Sequence, residues 1–270
     1  MNEKTIGELS RFTGVSVHTI KYYEKIGLLS SSRKEHSNYR SYNVRNCMGI
    51  YECMKYRNME FSLKDMAVLL KEADSGRLQQ MMEARSAELD HEIRRLQKIK
   101  GKVDGYRKEL ADFDERLGQW YIEQIPDFFF RKQTNQLEYG DNGEVEMNGI
   151  NLAEDEPESK ATVYLSRDYL NGGGVDYAWG IGKFAASDEQ EYSRLKQAGL
   201  THIGRTRAFV LYERFAGQYV SNGEMAAVLR KRFGEYGAEF PGDAYGICLK
   251  IVHDQQENEW QYMKIFIPLG

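Results

Sequence analysis

Side chains that hydrogen-bond or carry positive charge are concentrated between Ser16 and Tyr23. If this stretch is helical, Ile20 and one of the two adjacent tyrosines face a core, because neighbouring helix residues cannot both point inward. Hydroxyl, imidazole, ammonium and phenol groups on the remaining face are suited to a polyanion whose base edges accept and donate hydrogen bonds. The candidate contacts in this stretch are Ser16, Val17, His18, Thr19, Lys21, Tyr22 and Tyr23.

A second group of cationic and hydroxyl-bearing side chains follows in residues 30–57. Residues 30–43 show no apolar periodicity, which indicates an extended hairpin, and such a hairpin suits phosphate contacts that position a protein on a duplex. A solvated surface role is an equal alternative for any single residue, whereas contact is favoured for the set. The candidates are Arg33, Tyr39, Arg40, Tyr42, Lys55 and Arg57.

A third group consists of aromatic residues with one acid among them, on predicted strands in the second half of the chain. Alternation along a strand places Tyr177 and Trp179 on one face together with Val175, and Glu213 and Phe215 on one face of another strand. Such side chains would accept a flat or cationic molecule, with the carboxylate as its charge partner. The alternative for each ring is a place in the sheet core. The candidates are Tyr164, Tyr177, Trp179, Glu213, Phe215, Tyr245 and Tyr262.

Other chemistries find little support in the sequence. Cys47, Cys53 and Cys248 are too scattered for a metal cluster or a disulfide framework, so packed thiols are expected. His202 and His253 are isolated, and there is no Ser-His-Asp set and no glycine-rich phosphate loop. We therefore expect neither a metal nor a cofactor. The chain has no apolar segment of signal-peptide or membrane-spanning length, which predicts a cytoplasmic protein.

Charge is distributed unevenly along the 270 residues, whose formal net charge is −4. Residues 1–70 carry 11 Lys and Arg against 7 Asp and Glu, whereas residues 119–270 carry 15 against 23. This asymmetry is expected if only the front of the chain meets a polyanion.

Two short helices position the first group of candidates. Thr5, with Glu8 three residues later, predicts a capping box, and Gly14 interrupts the helix before Ser16 begins the next. Two helices joined by a short turn that contains glycine form a helix-turn-helix, whose second helix can enter a DNA major groove.

A long helix follows, beginning near Arg77 and ending by Gly118. Its apolar residues recur at alternating steps of three and four from Leu96 to Leu117, which is a heptad seam. A seam this narrow needs a partner helix. The alternative is packing against the C-terminal domain of the same chain.

Residues 119–270 contain six strand-like runs, with a clear helix over 222–237 between the fourth and the fifth. A weaker helix is placed either over 141–159 or over 188–199. Strands with a helix, twice over, predict an antiparallel α+β sheet made of two similar halves.

The run "IGELSRFTGVSVHTIKYYEKIGLL", followed by "NYRSYN" and "MKYRNMEFSLKDM", resembles the winged-helix DNA-binding domain of MerR family transcription regulators. The resemblance implies a recognition helix at residues 17–23, a wing carrying Tyr39, Arg40 and Tyr42, and an antiparallel coiled coil between two protomers. It further implies activation by distortion of a palindromic operator for RNA polymerase. Lys21 stands where the family more often has arginine, which makes strict guanine reading from this position less favourable. Cysteines near the end of the long helix, typical of metal-sensing members, are absent.

The C-terminal half is similar to the GyrI-like (BmrR-like) effector-binding domain of multidrug-responsive MerR proteins, on "AFVLYERFAG" and "YGICLKIVH". Gly246 departs from the cation-binding members, which carry a glutamate after the corresponding tyrosine. The resulting domain prediction is a winged helix-turn-helix in residues 1–75, a dimerisation helix in 76–118 and an antiparallel α+β effector domain in 119–270. A ligand-responsive homodimeric regulator is the leading hypothesis. The alternatives are a small-molecule hydrolase using Glu213 and a purely architectural DNA binder.

Overall fold

The computed structural model describes residues 3–34, 37–140, 146–147, 150–185 and 189–270. Two compact units, Met1–Gln97 and Lys98–Gly270, divide the chain. Each unit is built around its own hydrophobic core.

The first unit contains four short helices and one hairpin. The predicted capping box is confirmed, because the Thr5 side chain accepts from the Glu8 N–H while the Glu8 side chain caps Thr5. Gly14 ends the first helix at a φ of 74°, a left-handed conformation that favours glycine. The elements are α1 (Ile6–Thr13), α2 (Val17–Lys25), β1 (Ser32–Lys34), β2 (Ser37–Ser41), α3 (Val44–Asn58) and α4 (Leu63–Lys71).

The core of the first unit is formed by inward-facing side chains from all four short helices. Leu9 of α1, Ile20 of α2 and Ile50 and Cys53 of α3 are fully buried, and Met66 of α4 is 1% exposed. Burying apolar side chains from four helices fixes the angle at which α2 presents its opposite face.

The long helix α5 (Ser75–Arg116) has 42 residues, close to its predicted bounds. Apolar side chains in its middle part, from Leu89 to Val103, are exposed, whereas Phe113 is fully buried. The heptad seam is therefore divided between a free part and a part packed within the second unit.

The second unit is dominated by one antiparallel sheet of eight strands, in the order β11-β4-β10-β9-β13-β14-β12-β3. Two small hairpins, β5 with β6 and β7 with β8, accompany it. The strands are β3 (Trp120–Ile125), β4 (Phe128–Lys132), β5 (Thr134–Asn135), β6 (Glu138–Tyr139), β7 (Glu146–Met147), β8 (Ile150–Asn151), β9 (Ser159–Leu165), β10 (Tyr177–Phe184), β11 (Thr201–Ile203), β12 (Thr206–Ala216), β13 (Ala244–His253) and β14 (Glu259–Pro268).

The two faces of this sheet are covered differently. Helices α6 (Arg167–Leu170) and α8 (Glu224–Phe233) contribute Leu170 and Leu229 to the core on one face, and α7 (Glu189–Gln197) contributes Leu195 to a neighbouring cluster. Phe113 of α5 lies in the core on the other face. We call these the α8 face and the α5 face.

All six predicted strands are present, and the predicted helix over 222–237 is α8. The weaker helix is α7, within the second of the two segments proposed for it. In the first segment, residues 152–155 form a 3-10 helix, while residues 141–145 and 148–149 lie outside the described residues. The edge strands β3 and β11 were not predicted.

Candidate nucleic-acid interface and ligand faces

Helix α2 presents the predicted surface. The Ser16 hydroxyl accepts from the Thr19 N–H at 3.1 Å and so caps the helix. His18 and Lys21 are exposed, Val17 and Thr19 are half-buried, and Tyr22 is 40% exposed. The exposed side of α2 therefore carries the imidazole, ammonium and phenol groups that the sequence placed there.

Tyr23 is the inward-facing member of the tyrosine pair. It is 1% exposed and its hydroxyl contacts the Met54 sulfur at 4.0 Å. The expectation that Tyr23 contacts DNA is corrected, because its position on the helix directs the ring into the core next to Ile20.

A groove of about 490 Å³ lies beside α2, between that helix and the start of α4. It combines an imidazole, a phenol and a guanidinium at one concave surface, which suits a sugar–phosphate backbone. Its lining is His18, Thr19, Tyr22, Tyr23, Arg57, Phe61, Ser62, Leu63 and Met66. Arg57 is thus brought to the same surface as the α2 candidates, although it is distant in sequence.

The β1–β2 hairpin pairs Arg33 directly with Arg40, and Tyr39 at its side is 77% exposed. Like charges opposite each other in a hairpin are unfavourable unless an anion lies near. Glu24 of α2 supplies part of that compensation, since the Arg40 Nε is 3.2 Å from its Oε2.

Tyr42 is a positioning residue and not a surface one. It is 1% exposed, and its hydroxyl donates to Glu24 Oε1 at 3.0 Å. Burial, together with the Glu24 carboxylate, raises the pKa of Tyr42. The predicted DNA contact from Tyr42 is corrected accordingly: Tyr42 and Glu24 fasten the hairpin to α2. Sequence reasoning missed Glu24, because no local pattern distinguishes it from a solvated acid.

Lys55 is exposed, and its ammonium is already bound to Glu52 at 2.7 and 2.8 Å. This hydrogen bond raises the pKa of Lys55. Any contact with a phosphate would have to compete with Glu52, whereas Arg57 has no such acidic partner among the described residues.

Arg85 of α5 is a second positioning residue that the sequence did not reveal. Its Nε donates to the Met59 carbonyl oxygen at 3.1 Å and its guanidinium pairs with Glu60 at 2.9 Å. Glu60 has a positive φ of 59°, so Arg85 holds an unusual turn between α3 and α4.

The seven ligand candidates are divided between the two faces of the sheet. The residues on the α8 face are Tyr177, Trp179, Glu213 and Phe215, and those on the α5 face are Tyr164, Tyr245 and Tyr262. Because a single sheet separates these groups, they cannot line one cavity. Val175, expected on the strand with Tyr177, precedes β10 and is 56% exposed.

On the α8 face, most of the candidates are core residues. Phe215 is 1% exposed and stacks on Tyr219 with ring centres 4.8 Å apart, and Tyr177 is 4% exposed. Trp179 is only half-buried and meets the edge of Tyr219 at 6.2 Å. A small cleft of about 190 Å³ opens there, lined by Leu137, Trp179 and residues 217–221.

Glu213 lies outside that cleft. Its Oε2 is 4.0 Å from the Arg232 guanidinium of α8, and its Oε1 accepts from the Arg214 N–H at 3.1 Å. The carboxylate therefore has partners in the chain itself. At Gly246, an added Cβ would lie 2.5 Å from the Met225 side chain of α8, so a glutamate there would point into the core on the α8 face.

On the α5 face, Tyr164 and Tyr245 are neighbours across β9 and β13, with ring centres 5.7 Å apart. Lys132 lies over the Tyr164 ring at 5.5 Å and Lys250 over the Tyr262 ring at 4.4 Å. Ring faces that a cationic ligand would use are thus already occupied by lysines of the chain.

The three thiols, Cys47, Cys53 and Cys248, are buried and unbonded. Burial raises the pKa of both Cys53 and Cys248 to about 11, which disfavours the reactive thiolate. Within the described ranges, no three His, Cys, Asp or Glu side chains are grouped so as to hold a metal ion. The same part of the chain has no helix with the length and apolar character needed to span a bilayer.

Residues 5–42, which include α1, α2 and the hairpin, match the family model described as MerR family regulatory protein. The helix-turn-helix formed by α1 and α2 is therefore similar to that of MerR family regulators. The match ends with the hairpin and does not reach the second unit.

Named relatives match about a quarter of the chain. The HTH-type transcriptional activator TipA of Streptomyces coelicolor is 33% identical over 66 residues, which are 24% of this chain and 26% of TipA. Heavy metal-dependent transcription regulator 2 of Rhizobium meliloti is 37% identical over 65 residues, which are 24% of this chain and 44% of that protein. The chain thus spans less than half the length of either relative. A cryo-EM structure of the EcmrR-DNA complex in EcmrR-RPo is similar over 98% of both chains, at 16% identity and a TM-score of 0.38.

Proposed function

We propose that the protein is a DNA-binding transcription regulator that responds to a small molecule. The observation that carries the DNA-binding part is the exposed face of α2, where His18, Lys21 and Tyr22 stand beside the groove that contains Arg57. Helix α2 would read the major groove, and the β1–β2 hairpin would act as a wing on the phosphates.

Selection of DNA from a random pool, followed by binding measurements at several salt concentrations, tests this proposal. We expect a palindromic site and a binding constant that falls steeply with salt, because several phosphates are neutralised at once. Equal affinity for all sequences would leave only the architectural alternative, and absence of binding would refute both.

We further propose that α5 forms the homodimer. Five apolar side chains lie exposed along it at helical spacing, namely Leu89, Ile93, Leu96, Ile99 and Val103. An exposed stripe of this kind on a helix of 42 residues is typical of a coiled-coil seam. The partner is a second copy of the same helix, arranged antiparallel as the family resemblance implies.

The second unit would be the effector domain, built from two similar halves. Its strand order supports this idea, since β4-β10-β9 and β12-β14-β13 run inward from the two sides in matching chain order. Within each set of three, the strand that comes first in the chain (β4 or β12) lies farthest from the centre of the sheet, and the strand that comes second (β9 or β13) lies at the centre. The resemblance to GyrI-like domains implies that the ligand would bind at this sheet.

Helix α5 is the element through which ligand and DNA would communicate. Arg85 ties it to the turn between α3 and α4, and Phe113 packs into the core on the α5 face. A ligand that favours one conformer of the sheet by a few kcal/mol could thereby offset the cost of distorting promoter DNA for RNA polymerase, which is of the same order.

The hydrolase alternative depended on Glu213 as a base near Tyr177 or Trp179. The Glu213 carboxylate instead lies 4.0 Å from the Arg232 guanidinium of α8, so it has a partner within the chain. We therefore favour the regulator over the enzyme.

A further inference from the structure

The two halves of the sheet differ in the segment that links their strands. Between β12 and β13 the chain forms the ten-residue helix α8, which buries Met225 and Leu229. Between β4 and β9 the described residues form the β5–β6 and β7–β8 hairpins and a 3-10 helix. Trp179 of β10, in the half without α8, is only half-buried, and the cleft on the α8 face opens beside it.

The two aromatic walls of this cleft are held in place by the protein. Tyr219 stacks on Phe215 with ring centres 4.8 Å apart, and its hydroxyl donates to Gln261 Oε1 at 2.6 Å. The backbone N–H of Trp179 donates to the Thr134 hydroxyl at 2.8 Å. The rings of Trp179 and Tyr219 stand at 74° to each other, so they form a corner. A corner that is already formed costs little ordering free energy when a ligand binds.

Leu137 lines the cleft from the turn of the β5–β6 hairpin. Its side chain is 69% exposed. The neighbouring Gln136 fastens this turn to the sheet, because its backbone N–H donates to the Tyr177 carbonyl oxygen at 3.0 Å and its side-chain amide donates to the Val175 carbonyl oxygen at 3.3 Å. A bound molecule would therefore remove apolar surface of Leu137 from water, which favours binding.

The lining of the cleft disfavours a charged ligand. Of the seven residues that line it in the described part of the chain, none carries a charge. A cation or an anion would lose part of its hydration there without gaining an ion pair.

The size of the cleft favours one ring over several. Its volume is about 190 Å³. An engineered apolar cavity of about 150 Å³ binds benzene, whereas sites for drug-sized molecules have about 300–1,000 Å³. The cleft thus has room for one ring with a small substituent.

We propose that this cleft, between the β5–β6 hairpin and residues 217–221, binds a neutral aromatic molecule with a single ring, which packs against Trp179 and Tyr219. This inference rests on the proposed ligand-sensing function and names its ligand class. Offset or edge-to-face contacts with the two rings stabilise such a molecule beyond the burial of its apolar area. The Met225 N–H donates to the Tyr219 carbonyl oxygen at 2.9 Å, so the ligand would contact the turn that begins α8.

Calorimetry on the full-length protein with matched probes tests the proposal. The probes are benzyl alcohol, benzylammonium, benzoate and the naphthalene analogue of benzyl alcohol. We expect benzyl alcohol to bind at least about tenfold more tightly than either ion, because the ions find no partner for their charge. The naphthalene alcohol should bind no more tightly than benzyl alcohol, although it is more apolar, because its second ring exceeds the cleft.

Leu137→Asp should weaken the binding of benzyl alcohol at least about tenfold, since it places a carboxylate where the ligand needs an apolar contact. The exposed position of Leu137 makes this a test of binding and not of folding. The matched control is Tyr139→Asp, because Tyr139 lies on the same hairpin, is 94% exposed and does not line the cleft. This control should keep the wild-type affinity.

Tryptophan fluorescence locates the bound probe. Benzyl alcohol should change the emission of the wild-type protein and of Trp260→Phe, whereas Trp179→Phe should show no change.

Four outcomes would overturn the inference: an ion that binds as tightly as benzyl alcohol, a naphthalene alcohol that binds more tightly, a Leu137→Asp variant with wild-type affinity, or no binding of benzyl alcohol. DNA binding is measured on the same preparations without a probe. Its absence in the wild-type protein would count against the proposed regulator, whereas intact DNA binding with a failed probe result would count only against this ligand class.

Discussion

The Tyr106 hydroxyl of α5 donates a 2.6 Å hydrogen bond to the Leu249 carbonyl oxygen of β13. From this bond onward, the heptad seam packs against the sheet of the second unit, since Phe113 and Leu117 beyond it lie in the core on the α5 face. Before that point, the apolar residues of α5 from Leu89 to Val103 are exposed. A single periodic pattern in the sequence thus serves two different surfaces.

Tyr106→Phe should destabilise the second unit without affecting dimer formation. The change leaves the Leu249 carbonyl oxygen without its donor, which typically costs about 1–3 kcal/mol when the group is buried. Urea unfolding should show a lower midpoint, while sedimentation should show the same mass as the wild-type protein. A monomeric variant would mean that the docked part of α5 also holds the dimer.

Leu96→Glu should dissociate the dimer and weaken operator binding together, because a monomer presents only one recognition helix. The exposed position of Leu96 makes this a test of assembly and not of folding. Lys98→Glu, an exposed change on the same helix, is the matched control and should remain dimeric. A charged residue at the half-buried Leu110 would be a poorer test, since that position lies between Tyr106 and Phe113 on the docked part. An intact dimer in Leu96→Glu would refute the proposed seam.

The local signals in the sequence predicted most of the fold. The capping box at Thr5, the glycine turn and the strands of the sheet depend on neighbours within a few residues, and each is present. The edge strand β3 was missed although Trp120 and Ile122 do alternate. A six-residue strand directly after a long helix carries too weak a pattern to stand out.

The candidate sites were less accessible to sequence reasoning. Whether an aromatic residue lines a ligand site depends on which face of the sheet it occupies and what covers that face. Alternation predicted which residues of one strand share a face, but it did not predict which strands are neighbours. Tyr164 and Trp179 were therefore placed in one group, although they lie on opposite faces of the sheet. The importance of Glu24, Arg85 and Lys264 depends on partners distant in the chain, which one sequence does not reveal.

Arg57→Ala should weaken binding to all DNA sequences and lower the slope of binding against salt by about one unit, because one phosphate neutraliser is lost. Arg40→Ala should act likewise, with a further loss since Arg40 also pairs with Glu24. The control is Arg107→Ala, an exposed cation of the second unit, which should leave the slope unchanged. An unchanged slope in Arg57→Ala would remove Arg57 from the interface and leave the groove beside α2 unused.

Lys55→Ala should change the slope less than Arg57→Ala does. The Lys55 ammonium is held by Glu52. Its removal therefore breaks an ion pair within the chain, whereas the removal of Arg57 takes away a positive charge that is available to a phosphate. Comparison of the two variants at three salt concentrations measures the difference. An equal or larger effect of Lys55→Ala would show that Lys55 leaves Glu52 when DNA binds.

Lys264→Met should raise the melting temperature of the protein, because it replaces a half-buried ammonium, whose charged form burial disfavours, with an apolar group of similar length. The sign of the pH dependence follows from the lowered pKa of Lys264, whose ordinary value is 10.5. Between the lowered value and 10.5, the unfolded chain binds more protons at this group than the folded chain, so this group makes stability rise with pH. The gain from Lys264→Met should therefore be largest at neutral pH and shrink as the pH approaches 10.5. Denaturant unfolding of both proteins at several pH values measures this, with Lys196→Met, a change on α7 over the Tyr192 ring, as the control. A variant that is less stable than the wild-type protein at every pH would show that Lys264 is a structural residue held by the rings of Tyr212 and Phe184.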